Sequence, residues 1–148
     1  MARRYSTYGA GDTGTDKTVL TVVSTTAIRP AICDILLGAG TTPSDHACKW
    51  VMNRFTAGGT GTAFTPVALN PSDPAATFTS AYNHTVEPTY TASSYLLGWS
   101  MNQRGTFRWV AAPGFELIAP NTAANGIGLK TLSSTSTADY EATFLVEE

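Results

Sequence analysis

The sequence predicts an all-β fold, an antiparallel β-sandwich or jelly roll, and three observations carry that prediction. Short runs rich in Val, Ile, Thr and aromatic residues recur along the 148 residues, as half-buried strands require. Clusters of Gly, Pro and Asn punctuate them at turn spacing, which divides the chain into about seven to nine short strands. No stretch holds an apolar period of 3.6 residues over the length of a helix. A single chain of this length can bury a core without disulfides.

The elements follow in order. Residues 1–16 read as an extended N-terminal arm, because Gly9, Gly11 and Gly14 sit among small polar residues with no apolar period. Residues 17–148 then form a single β-sandwich domain. "TVLTVVSTT" is its first strand. "RPAICDILLGAG" is the second, with Pro30 at its start, where a missing N–H is tolerated. Period two places Ile28, Ile32 and Leu36 on one face of it. "CKWVMNRFTA" reads as a strand with Cys48, Trp50 and Met52 on one face and Lys49, Val51 and Asn53 on the other. A helix capped by Ser44 or Asp45 is the alternative there, and the quick stop at "AGGTG" favours the strand. "NPSDPAATFTSAYN" holds a turn and at most one helical turn near Pro74. A hairpin follows, from strand 95–101 through the turn 102–105 to strand 106–111. The Pro113-Gly114 pair turns the chain again within a second hairpin, residues 107–119, and a further strand covers 127–132. In "DYEATFLVEE", Tyr140, Ala142, Phe144 and Val146 alternate with polar neighbours and point inward. Trp50, Trp99, Trp109, Phe144 and Val146 are the expected core fillers.

Composition narrows the function. Charged residues make up 14% of the chain, against roughly 25% in an average soluble domain. Thr, Ser, Gly and Ala replace them, giving a surface that desolvates easily against other subunits. Nine Lys and Arg in a chain of net charge −2 form no basic stripe, so no direct nucleic-acid binding is expected. No apolar run reaches the roughly 20 residues of a membrane helix. Arg3 and Arg4 are followed by no apolar stretch, so no secretory signal is read, and Cys33 and Cys48 are expected to stay reduced thiols in a cytoplasm.

Chemistry-bearing residues are scattered. His46, Cys48 and Cys33 lack the paired spacing of a zinc site. His46 and His84 stand in no nucleophile motif, and Ala at either position is expected to leave assembly and stability intact. Asp34, Glu87 and Glu116 are the acids that a glycosidase pair would need, and no spacing joins two of them. Gly58, Gly59 and Gly61 form turns rather than a phosphate loop, since no Lys-Ser/Thr follows. The expectation is a protein without catalytic residues, metal or cofactor.

Two segments resemble known proteins. "WVMNRFTAGGTGTAFTPVALNPSDPAA", residues 50–76, is similar to a segment of small virion proteins of tailed bacteriophages. In those proteins an aromatic-bearing strand runs into a Gly-Thr-rich turn and then a Pro-x-Asp-Pro-Ala stretch. "RWVAAPGFELIAPNTAANGIGL", residues 108–129, resembles the same proteins. The resemblance implies a β-sandwich virion subunit, a capsid decoration or cement protein made in the host cytoplasm and carried on the capsid. Its implied partners are the major capsid protein and copies of itself, as a homo-oligomer for which a trimer is one option. A tail, neck or fibre-base component, a host-binding sandwich and a small glycan-acting hydrolase are the alternatives. In the decoration reading the arm crosses a subunit boundary, with Arg3, Arg4, Tyr5 and Tyr8 as interface residues, types that commonly anchor interfaces. Deleting residues 2–14 should then spare the isolated subunit.

Overall fold

A computed structural model describes residues 2–134 and 137–148. Twelve strands and no helix are found among them. They are β1 (Arg4–Thr13), β2 (Thr18–Val23), β3 (Ala31–Ala39), β4 (Ala47–Ala57), β5 (Thr60–Phe64) and β6 (Val67–Ala68). The second half adds β7 (Thr79–Val86), β8 (Thr89–Asn102), β9 (Phe107–Val110), β10 (Leu117–Ile118), β11 (Gly126–Ser134) and β12 (Ala138–Glu147). Two antiparallel sheets pack as a β-sandwich. Sheet A runs β10-β3-β12-β1-β6, with β9 beside β10 on the same edge of β3. Sheet B runs β5-β7-β2-β11-β4-β8.

The core lies between the sheets. Alternation along β12 sends Tyr140, Ala142, Phe144 and Val146 inward, and all four are buried. Cys48, Trp50 and Met52 do the same from β4, so the strand reading of that segment holds and the helix is excluded. Trp50 meets Tyr140 edge-on at 4.4 Å between ring centres, tying sheet B to sheet A. Trp99 and Trp109 are only half-buried and lean on this core from its margin.

The expected arm is corrected. Residues 4–13 are a strand inside sheet A, paired with β12 from Arg4↔Glu147 to Thr13↔Ala138 and with β6 on the other side. Tyr5 is fully buried, set edge-on to Phe78 at 5.7 Å, and its hydroxyl donates to the Pro74 carbonyl at 3.0 Å. Glycine here serves close packing rather than freedom. A Cβ on Gly9 would stand 2.6 Å from Cβ of Tyr82, which no side chain tolerates without backbone movement. The division into an arm and a domain therefore dissolves, because residues 4–13 are part of the sandwich.

Three further expectations change. Ile28, Ile32 and Leu36 do not share a face. Pairing steps from Leu145↔Asp34 to Val146↔Ile32, so Cys33 is an extra, bulged residue. The bulge shifts the phase, and Ile35 and Leu37 go inward while Leu36 is exposed. Neither hairpin exists. β8 pairs with β4 in sheet B, whereas β9 pairs with β3 in sheet A, so the turn at 102–105 is a corner between sheets. β9 and β10 lie end to end along β3, as Leu37↔Phe107 and then Leu117↔Ile32 show, with the Pro113-Gly114 loop bulging between them. The helical turn near Pro74 is absent, and β7 begins at Thr79 instead.

Deleting residues 2–14 removes a strand flanked on both sides. The truncated chain should lose cooperative unfolding in urea and expose its core to dye, the opposite of an arm's behaviour. Phe144→Ala, at the centre of the β12 face, should cost about 3–5 kcal/mol in the same urea titration.

Candidate interaction surfaces

The two outer faces of the sandwich are finished differently. On sheet B the chain covers part of its own face around β11, while Val86 on β7 and Tyr95 on β8 stay exposed. β11 presents Gly128 outward, and the Tyr90 hydroxyl from β8 occupies the space where a Cβ would sit, only 2.3 Å from it. Around the Tyr90 ring stand Phe55, edge-on at 5.9 Å, and Lys130, whose Nζ lies 4.7 Å from the ring centre. The Tyr90 hydroxyl bonds Thr18 Oγ1 at 2.9 Å. Burial holds that hydroxyl protonated, far above the ordinary tyrosine range.

His84 lies in the same cluster and is fully buried. Its Nε2 is 3.4 Å from Thr21 Oγ1. Lys17 Nζ donates to the His84 carbonyl and pairs with Glu87, whose carboxylate also accepts from the Thr18 amide at 2.8 Å. Burial pushes the imidazole pKa below its usual value. Glu87 opposes the shift and Lys17 adds to it. The expectation that His84 is dispensable is thus corrected, because its ring fills a closed space.

On sheet A the outer face stays open. Leu36, Val67, Leu69, Val110 and Ile118 are exposed there. A groove of about 470 Å³ crosses this face, bounded by Arg4, Leu69, Val110, Pro113 and Leu145. Asp34, Glu116 and Glu147 also line it. Each acid has a local partner. Asp34 receives Arg108 through Nη2 at 2.7 Å and Nε at 3.2 Å. Glu147 receives Arg4 Nε at 3.0 Å. Glu116 accepts from the Gly114 amide at 3.1 Å. These bonds tie the carboxylates to the frame, leaving a face of apolar side chains between ion pairs.

The sandwich is also open along one side. β1 closes the other side against β2 and β7. Between the free edges of β8 and β9–β10 lies a recess of about 490 Å³ lined by Leu96, Leu97, Trp109, Phe115 and Leu117 among others. Trp99 stacks flat on Phe107 at 4.0 Å near this margin. Phe115 is 74% exposed.

The residues named from sequence fall as follows. Tyr5 is core and cannot reach a neighbour. Arg4 is held by Glu147 on the open face of sheet A. Arg3 is exposed, its amide and carbonyl bonded to the backbone of Glu148. Tyr8 is 38% exposed, borders the outer face of sheet A and lies 6.3 Å from the Phe64 ring. The four are not one interface anchor. Cys33 edges the outer groove and Cys48 is buried in β4, neither in a disulfide, while His46 is exposed just ahead of β4. Among the described residues no three His, Cys, Asp or Glu are grouped for a metal ion. Sequence reasoning missed Leu36 on the outer face of sheet A because the bulge at Cys33 sets the phase of β3.

Comparison with protein-family models, with curated proteins and with solved structures finds no match.

Two measurements follow. A histidine with a lowered folded pKa takes up its proton in the unfolded chain first. Stability should therefore be level above about pH 7 and fall as the pH drops through about 6.5, the unfolded value. His84→Gln should flatten the melting temperature between pH 7 and pH 5, where the native chain declines. Arg108→Leu strands the buried Asp34 carboxylate and should lower the melting temperature, while Asp34→Leu/Arg108→Leu should recover part of that loss.

Proposed function

We propose that this chain is a structural subunit of a tailed-bacteriophage virion, a capsid decoration protein that holds the major capsid protein and copies of itself by surface contact. The observation that carries the reading is the open outer face of sheet A, where Leu36, Val67, Leu69, Val110 and Ile118 are exposed on a rigid sheet. Exposed apolar side chains gathered on one face favour an interaction site, and on the opposite sheet Tyr90 and Phe55 cover the middle of the face instead.

Strand order supports the same reading. We read β1, β12, β3 and β9–β10 in one sheet, against β2, β11, β4 and β8 in the other, as the eight-stranded alternation of a jelly roll. Viral capsid domains use that architecture, as do lectins and cupins, so the fold alone does not select the virion. The resemblance of residues 50–76 and 108–129 to tailed-phage virion proteins is what favours the virion among these. On the particle, many weak symmetric contacts act together through high effective concentration.

A second reading, a tail, neck or fibre-base component, uses the same face. Antibody raised against the folded chain and applied to intact particles separates the two. Labelling of the head supports decoration, labelling confined to tail or neck supports the second reading, and a chain absent from purified particles defeats both. Val67→Asp, on the open face opposite Ser6 in the edge strand β6, should keep the subunit's melting temperature within a few degrees while lowering its occupancy on particles.

A further inference from the structure

We infer that the free edge of β8 is a two-fold interface, through which sheet B of one subunit continues into sheet B of a second copy. The inference goes beyond the virion assignment and does not depend on it.

β8 is the last strand of sheet B, and among the described residues its one strand partner is β4. Its other edge presents a row of main-chain donors and acceptors, a template for an added strand. Proteins blunt such edges with charges, prolines or bulges. From Thr89 to Gln103 there is no charged residue and no proline. A bulge does occur at Leu96, where pairing steps from Tyr95↔Asn53 to Leu97↔Met52. Beyond it, from Leu97 onward, the strand runs in unbroken register with β4, undefended.

The side chains of that run say which strand fits. Leu97, Trp99 and Met101 lie opposite Met52, Trp50 and Cys48 on the core side. Gly98 and Ser100 lie on the outer side and are exposed. The pattern is the same read in either direction from Trp99: aromatic at the centre, an aliphatic chain on each side, a small residue between. An antiparallel second copy with the dyad at Trp99 sets Leu97 against Met101 and Gly98 against Ser100. Core-side residues meet core-side residues, the condition that fixes strand register, and no like charges are opposed. A two-fold axis is the symmetry by which one patch satisfies itself. The added strand would also lie over the recess bounded by Leu97, Trp109 and Phe115, covering apolar surface left open in the single subunit.

Sedimentation equilibrium tests this on the full chain. The native protein should show twice the 15.6 kDa subunit mass. Gly98→Lys/Ser100→Lys opposes lysines across the dyad and should give folded monomer. A Cβ at position 98 makes only ordinary contact, 3.6 Å to Val51 Cγ1, so the strand accepts the change. Gly98→Glu/Ser100→Lys sets opposite charges across the dyad and should restore the dimer. Monomer or trimer for the native chain, or a dimer unchanged by the lysine pair, overturns the inference. Should the variants fail to fold, hydrogen exchange on the native chain decides. Amide exchange within residues 97–101 should slow by about tenfold as concentration rises through the dimer range, and exchange independent of concentration overturns the inference.

Discussion

The ladder between β1 and β12 is the constraint on which the rest of the structure depends. It joins residues 4–13 to residues 138–147 in continuous register. β12 has β3 on its other edge, and β1 has β6, so the pair forms the middle of sheet A. Its inward residues, Tyr5, Tyr140, Ala142, Phe144 and Val146, form much of the floor on which sheet B rests. The edge-on contact of Tyr140 with Trp50 fixes where β4 sits, and β4 carries β8 on one side and β11 on the other. Both outer faces and the open side of the sandwich take their positions from that pairing.

Much of this was legible in the residues. Alternation alone locates β2, β4 and β12 and assigns the inner faces of the last two correctly. What period two cannot show is where a strand slips phase. The single extra residue Cys33 turns Leu36 outward and Asp34 onto the face where Arg108 covers it. Nor can local sequence show a strand whose partner is more than a hundred residues away. Gly9 and Gly11 look like a loose terminus because their neighbours, Tyr82 and Asn83, are remote in sequence. The misread hairpins have the same origin. Asn102 and Gly105 do form a tight turn, with the Gly105 amide on the Asn102 carbonyl at 2.9 Å. The turn chemistry is right, but the strands it joins belong to different sheets.

The candidate surfaces were less legible than the core. Low charge and abundant small residues pointed to a contact-making subunit without saying which side makes the contacts. The asymmetry between sheets supplies that. Tyr90, Phe55 and Lys130 cover the middle of the outside of sheet B, with His84 buried there and the half-buried Lys17 bonded to its carbonyl. Sheet A has no such cover, and its ion pairs Arg108–Asp34 and Arg4–Glu147 hold the strands while leaving the apolar side chains between them free.

Among the described residues, no two strands that follow one another in the chain are paired in either sheet. The fold therefore has no hairpin from which to start, and every pairing must close a loop of unordered chain first. On a ribosome this has a temporal meaning. β1 emerges before the other eleven strands, yet its long partner is β12, more than 120 residues behind it. At about 5–20 residues per second, the opening strand waits several seconds with its Tyr and Thr side chains uncovered. The composition that disguised β1 as a loose terminus, small and polar apart from Tyr5 and Tyr8, thus belongs to the strand that must wait for the one that completes it.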